Sequence, residues 1–278
     1  MKGDPRVTTS IRRFVIALAI FQALLTLSAG AWAQQNSVQT DRAARIEALS
    51  AQLRWHGEAE SKQYDAVKVD VTQRLLGEID GYIGESFDPR SATAEQVQKG
   101  VDALLEYKGG DLFNNVAFLA DLPAGHFLIV GVEIWRGSSA IAEDAISFRA
   151  YASSGGKFVH VASVDDLTDP GVASLFAKAL PTPPVAGQFW FIAWADVPPL
   201  APFKVAMRLY AFDGKDFRTA WNPENVIASS VPDAVQTASG GFIVNRMPDF
   251  QSQLILHEQY SVSADGPKKI VEWTTQRE

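Results

Sequence analysis

The chain has 278 residues and no cysteine, and its 25 lysines and arginines against 32 acidic residues give a formal net charge of −7. The missing cysteines exclude disulfides, thiolate metal sites and a cysteine nucleophile. A net negative charge disfavours binding to nucleic acid or to an anionic membrane surface.

The first 33 residues have the pattern of an export signal. Two arginines precede a stretch, residues 14–27, that is almost wholly apolar, and Ala31-Trp32-Ala33 matches the small-x-small pattern of a cleavage site. We therefore predict a signal peptide over residues 1–33 and a periplasmic or secreted protein of the bacterial envelope. An uncleaved anchor is the alternative, because residues 14–33 are just long enough to span a bilayer.

Residues 34–112 are predicted to form a helical segment. Apolar side chains recur at helical spacing within residues 41–55 and 67–83, although the β-branched start of the second stretch also allows a strand. The clearest helix begins after Thr93, because Gln96 follows three residues later in the pattern of a capping box.

Residues 113–278 are predicted to form a β-repeat domain of three tandem units. The units are about 114–180, 181–232 and 233–278. Each contains a small residue and a glycine shortly before a phenylalanine, namely Phe127, Phe189 and Phe242. The three glycines are 62 and 53 residues apart, a period that favours one β-unit copied in tandem. Within each unit, an apolar run, an alternating run through a tyrosine, a glycine turn and a further run predict an antiparallel meander.

The first strands of the first two units predict sheets that are covered on both faces. Residues 127–132 and 189–194 are apolar at every position, whereas a strand with one wet face would alternate. The corresponding strand of the third unit soon reaches Asn245 and Arg246, as expected of a terminal unit with an exposed side.

This pattern resembles the blades of a β-propeller, four-stranded meanders stacked face to face, over roughly residues 114–278. The resemblance implies an open propeller-like arc, because three units are fewer than the roughly four to eight blades of closed propellers. It indicates no particular family, since the calcium-loop aspartates of integrin-like repeats and the Trp-Asp dipeptide of another common blade are missing. A β-sandwich or a barrel would use the same hairpins. The predicted fold class is therefore α+β, mainly β, with these three arrangements open.

The densest acidic cluster, formed by Asp165, Asp166 and Asp169, is predicted to cap a short helix. Pro170 would occupy the first helical position, and the helix would run to about Leu180. A site for a hard cation is disfavoured, because the cluster lacks the alternating Asp/Asn and the glycine of a calcium loop.

Candidate functional residues stand near the ends of the first strands. Glu133 and Asp196 are candidate catalytic carboxylates, because two such groups at one rim could carry out acid–base hydrolysis, including glycoside cleavage. Trp135, Arg136 and Arg246 are candidate binding residues near the same strand ends.

Catalytic and metal-binding signatures are missing from the sequence. It has no nucleophile elbow and no phosphate-binding glycine loop. Its four histidines show no metal-ligand spacing, so we predict no metal site and no cofactor.

These features favour an exported bacterial protein that acts by binding another envelope protein, a peptide or a glycan over an enzyme. The alternative is an envelope hydrolase that uses the rim carboxylates on a polysaccharide or a peptide. A purely structural role, in which the helices mediate assembly, is a third hypothesis.

Overall fold

A computed structural model describes most of the chain after residue 40. The described residues are 41–53, 62–105, 115–134, 145–167, 173–197, 204–224, 226–249 and 251–277. The chain divides into two compact units, residues 1–45 and 46–278, and the strands that the structure describes belong to the second. The predicted signal peptide and the candidate binding residues Trp135 and Arg136 lie outside the described residues. Within those residues, no helix has the length and apolar character needed to cross a membrane.

Among the described residues, three helices precede the strands: α1 (residues 41–53), α2 (Lys62–Ser86) and α3 (Ala94–Leu105). The capping box before α3 is formed as predicted. The N–H of Thr93 donates to Gln96 Oε1 at 2.9 Å, and the N–H of Gln96 donates to Thr93 Oγ1 at 3.2 Å. The alternative of a strand at the start of the second stretch is wrong. Val67 and Val69 lie on the exposed side of α2, so their alternation with charged residues does not mark a sheet face.

Thirteen strands within the described residues form three antiparallel sheets. The first sheet contains β1 (Val116–Leu122), β2 (Gly125–Ile134), β3 (Ala145–Ser154) and β4 (Lys157–Val164). The second contains β5 (Ala173–Ala179), β6 (Phe189–Asp196), β7 (Lys204–Phe212) and β8 (Phe217–Trp221), with β9 (Val226–Ile227) paired to β7. The third contains β10 (Val235–Ala238), β11 (Gly241–Arg246), β12 (Leu254–Ser263) and β13 (Gly266–Gln276). The α+β, mainly β, fold class is confirmed, and none of these described sheets closes into a barrel.

The first and second sheets are covered on both faces, as the apolar character of their inner strands predicts. In β2, Leu128 and Val130 face the helices, while Ile129 faces the second sheet. In β6, Phe191 faces the first sheet, while Trp190 faces the third. All five side chains are fully buried, and each contributes roughly 1.5–3 kcal/mol through burial. The layers therefore follow chain order: helices, first sheet, second sheet, third sheet.

A β-bulge marks the same position in all three sheets. The pairing of the third strand with the fourth shifts by one residue just before Tyr151, Tyr210 and Tyr260. Each tyrosine faces the preceding layer, and each pairs on the second strand with a residue of that same face. Those partners are Leu128, Phe191 and Phe242. The tyrosines thus fix which positions of the three units are equivalent.

The three phenylalanines that follow the glycines are not equivalent to one another. Phe127 packs against Phe212 and so faces the following layer, whereas Phe189 and Phe242 face the preceding one. The reason lies in the hairpins. The β1–β2 connection is a two-residue turn, while a nine-residue connection separates β5 from β6. The number of residues between the glycine and the equivalent strand position therefore differs between units.

The predicted helix between Pro170 and Leu180 is wrong, because this stretch contains the strand β5. Pairing with β6 buries Leu175 and stacks Phe176 on Trp194 with ring centroids 5.7 Å apart. Tertiary pairing of this kind overrides a local helix-start signal. The second sheet thereby gains the first strand that its sequence hardly marks.

A glycine in β2 offers a test of this packing. A Cβ at Gly131 would lie 2.5 Å from Phe148 Cε1 and 2.7 Å from Val116 Cγ2, so Gly131→Ala should lower the free energy of unfolding by about 1–3 kcal/mol. The matched control is Gly77→Ala in α2, where a Cβ meets nothing within 4 Å. That change should stabilise the protein by about 0.5–1 kcal/mol. Urea unfolding of both variants measures the difference, and equal effects of the two substitutions would contradict the packing.

Candidate functional site

The helices and the first sheet are joined by a cluster of polar side chains, the first inter-layer cluster, which consists of the half-buried Asp80 and the buried Arg149 and Tyr151. Arg149 Nε donates to Asp80 Oδ1 at 2.7 Å, a second guanidinium nitrogen donates to Oδ2, and the Tyr151 hydroxyl donates to Oδ1 at 2.8 Å. Burial and the charge of Asp80 raise the pKa of Tyr151 well above its usual value. The phenol therefore remains a hydrogen-bond donor across the physiological range.

Arg149 is almost fully buried, so its positive charge needs the carboxylate of Asp80 as a partner. Burial works against the charged form of the guanidinium, but the hydrogen bonds to Asp80 raise the pKa of Arg149. A buried ion pair of this kind is costly to break from one side, because the remaining charge is left without a partner.

The first and second sheets are joined in the same way by the second inter-layer cluster, which consists of Asp166, Arg208, Tyr210 and Thr219. Asp166 follows β4 and accepts hydrogen bonds from the hydroxyls of Tyr210 and Thr219, while its carbonyl accepts from Arg208 Nη2 at 3.2 Å. Burial and Asp166 raise the pKa of Tyr210. The helix-capping role predicted for the acidic cluster is wrong at Asp166, because its carboxylate reaches the next layer instead.

In the third sheet, the residue two positions before the tyrosine is an acid instead of an arginine. Glu258 stands two residues before Tyr260, where the other sheets carry Arg149 and Arg208. The Glu258 carboxylate accepts from Arg246 Nη2 at 2.9 Å, Lys269 Nζ at 3.0 Å and the Tyr260 hydroxyl at 3.1 Å.

The ionisation of this third cluster follows from its contacts. Burial would raise the pKa of Glu258, but the hydrogen bonds from Arg246 and Lys269 hold it below its usual range. Burial and the charge of Glu258 raise the pKa of Tyr260 to about 12. Arg246, a candidate binding residue, is thus part of an ion pair within the third sheet.

Glu133, a candidate catalytic residue, supports the start of β5. Its two carboxylate oxygens accept the N–H groups of Ser174 at 2.7 Å and Leu175 at 2.9 Å. Ser174 has a φ of 57°, the one positive value outside glycine among the described residues, and the pairing of β5 with β6 shifts here. Glu133 therefore takes the place of a neighbouring strand along the first part of the β5 edge.

Asp196, the second candidate carboxylate, stands at the end of β6, opposite Ala173. Burial raises its pKa. Strand alternation places Asp196 on the same face as Trp194, toward the third sheet, whereas Glu133 binds the second sheet from the side of the first. The structure thus sets Glu133 and Asp196 on opposite sides of the second sheet, and their catalytic pairing remains a prediction.

A cleft of about 210 Å³ opens along the free edge of β5. Its walls include Gln98 of α3, Val116 of β1, Phe176 and Lys178 of β5, and Trp194 and Pro232. Lys178 Nζ donates to the carbonyl of Val235 at 2.7 Å and lies 5.5 Å from the centroid of the Trp194 ring.

The sequence conceals this cleft, because the residues before β5 carry the pattern of a helix start. The alternation of large and small residues from Phe176 to Ala179 is the signal available for a strand. Within the described residues, no group of three or more histidines and acids is placed to hold a metal ion.

Comparison with models of known protein families gives no match, and comparison with curated proteins gives none either.

The first inter-layer cluster predicts unequal effects of two substitutions. Asp80→Ala leaves the charge of Arg149 buried without its partner and should cost about 3–5 kcal/mol of unfolding free energy. Tyr151→Phe removes one hydrogen bond to a charged group and should cost about 1.5–3 kcal/mol. Lys99→Ala, which breaks an exposed pair with Glu95, should change nothing measurable and serves as the control. An Asp80→Ala variant as stable as the control in chemical denaturation would contradict the role of the cluster.

The lowered pKa of Glu258 predicts a pH-dependent contribution to stability. Because the unfolded state binds the proton more readily, this contribution is present above a pH of about 4.3 and is lost as the pH falls through the folded pKa. The stability gap between the wild type and Glu258→Gln should therefore narrow from about pH 6 to about pH 3.

Urea unfolding at a series of pH values measures this gap. Glu224→Gln, at an exposed position, is the control and should show no such narrowing. A gap for Glu258→Gln that stays constant or widens toward low pH is the contrary result.

Proposed function

We propose that this protein is a binding module of the bacterial envelope that takes an extended peptide from a partner protein as an added strand on the free edge of β5. The observation that carries the proposal is the cleft beside that edge. An exposed strand edge presents unpaired main-chain groups, and peptide-recognition domains use such edges to pair with a partner strand. The location in the envelope rests on the export signal in the sequence.

Hydrogen-bond geometry identifies the groups that face the cleft. The N–H of Leu180 donates to the carbonyl of Trp190, so this position and every second one before it point into the sheet. Leu175 belongs to the alternate set of positions, so its N–H group points away from β6 and donates to Glu133. By the same alternation, Ala177 and Ala179 direct their N–H groups outward, just beyond the part of the edge that Glu133 covers.

The walls of the cleft suggest the chemistry of the peptide. Phe176 stacks on Trp194 and offers an apolar contact to every second side chain of an added strand. Lys178 uses one of its three N–H donors on Val235, and the ammonium group can bind a carboxylate or a carbonyl with another. We therefore expect a peptide with an acidic residue next to an apolar one.

Two features support a binding role over the hydrolase alternative. Both oxygens of Glu133 already accept backbone N–H groups, and Asp196 lies across the second sheet from it.

The open propeller-like arrangement belongs to the same proposal. It is supported by β5 lying beside β1 on one side and beside β10 on the other, because blades of a propeller bring their first strands together.

Peptide selection with a matched proline pair tests the proposal. Random peptides displayed on phage are selected on the purified protein, and the dissociation constants of selected peptides are measured by fluorescence anisotropy. Ala177→Pro removes an outward N–H without touching the β5–β6 ladder, so it should weaken binding at least about tenfold. Thr237→Pro makes the same change on the outward side of edge strand β10 and should leave binding unchanged.

Two results would overturn the proposal. One is a failure to select any peptide on the wild-type protein. The other is a folded Ala177→Pro variant, as judged by circular dichroism, that binds the selected peptides as tightly as the wild type does.

A further inference from the structure

The outer face of the third sheet, defined as the side chains of β10–β13 that point away from the second sheet, differs in composition from the rest of the chain. Register and alternation assign its members, because Phe242, Val244 and Tyr260 mark the inner face. The outer face contains Gln236, Ile243, Asn245, Ile255, His257, Gln259, Ser261, Lys268, Val271, Trp273 and Thr275. At the other end of the stack the helices cover the first sheet, whereas no described helix or strand lies on this face. Asn245, near one edge of the face, is buried and donates to the carbonyl of Asp233.

Two of the exposed large apolar side chains among the described residues lie on this face, and a third lies in the bulge of β13 beside it. Val271 is 48% exposed and Trp273 is 39% exposed, and Ile270, the extra residue of the bulge, is 55% exposed. Contiguous exposed apolar surface of this kind marks sites of association in soluble proteins.

Trp273 packs on the ring of His257, which hydrogen bonds to two other strands hold in place. The His257 ring stacks on Trp273 with centroids 5.0 Å apart. His257 Nδ1 lies 2.8 Å from Asn245 Oδ1, and His257 Nε2 lies 2.8 Å from Thr275 Oγ1. Because an amide oxygen only accepts, Nδ1 carries a proton. A fixed aromatic side chain loses little entropy on binding, which is the property of an interface anchor.

The outer face is also depleted of charge. Lys268, near one end, is its one permanently charged residue, and no acidic side chain is assigned to it among the described strand residues. The opposite face of the same strands carries Arg246, Glu258, Lys269 and Glu272, which bind one another. The whole chain has 32 acidic residues. The outer face of this terminal sheet should meet water, yet its described strand residues include no acidic side chain. Depletion of charge is the compositional mark of the centre of an interface.

We propose that this outer face binds the same face of a second copy of the chain in a two-fold dimer. In a two-fold interface the same patch meets itself, with residue i of one copy contacting residue j of the other and j contacting i, so acidic side chains spread over this face would bring like charges together. The absence of acidic side chains from the described strand residues of this face removes that repulsion in a chain of net charge −7. A charged partner, in contrast, would find almost no group to pair with. Two sheets packed face to face also cover the exposed valine and tryptophan with a second apolar surface.

The size of the face sets the strength of the dimer. Its strands have four, six, ten and eleven residues, and at about 3.4 Å by 4.8 Å per residue they cover about 500 Å² in each copy. The total of about 1,000 Å² lies at the low end of specific interfaces. The dimer should therefore be weak and reversible, with a dissociation constant of about 10–100 µM.

Sedimentation velocity on the protein, purified in the form that the cell produces, tests this interface between about 1 and 300 µM. The wild type should shift from monomer to dimer over that range. Val271→Glu places like charges on both copies and should raise the dissociation constant at least about tenfold. Val159→Glu on β4 is the matched control, because Val159 is also 48% exposed, and it should dimerise as the wild type does.

Each contrary result overturns the proposal. A wild type that stays monomeric at the highest concentration excludes the dimer. A Val271→Glu variant that dimerises as the wild type does places any self-association on another surface. A peptide that binds at β5 leaves this experiment unaffected, so the two proposals fail independently.

Discussion

The arrangement of this protein depends on two aspartates at the layer boundaries that hydrogen-bond to a tyrosine and an arginine of the next layer. Asp80 joins the helices to the first sheet, and Asp166 joins the first sheet to the second. Apolar burial supplies most of the stabilisation of the stack but fixes no register, since a flat apolar surface can slide. Hydrogen bonds to these two aspartates are directional, and so they set how each sheet lies on its neighbour.

The third sheet departs from this rule, and the departure explains its position at the end of the stack. Glu258 replaces the arginine and is bound by Arg246 and Lys269 of its own sheet. Trp221 of the second sheet meets Tyr260 through ring contact instead of an acid. The acidic side chains of the described strands lie on the inner side of the sheet, which leaves the outer side with Lys268 as its one permanently charged residue. Among the described residues, the stack therefore has one face that helices cover and one face that no helix or strand covers.

Much of this could be predicted from the sequence where local pattern and burial agree. The unbroken apolar runs of β2 and β6 indicate covered sheets, and the tyrosine in each unit marks equivalent positions. The sequence misleads where long-range pairing decides. Helix-start residues before Leu175 conceal β5, and with it the cleft and the structural role of Glu133, whose partners lie 41 and 42 residues away. The three phenylalanines do not mark equivalent strand positions, because a Gly-x-Phe pattern does not reveal the length of the hairpin connection before it.

Amide hydrogen exchange in the wild type and in Asp166→Asn tests the coupling between layers most directly. Because Asp166 joins the first and second sheets, weakening its hydrogen bonds should reduce the protection of amides in β3 and in β7 together. Protection that is lost only in the turn after β4, with both strands as protected as in the wild type, would contradict the claim that hydrogen bonds to these aspartates hold adjacent layers in register.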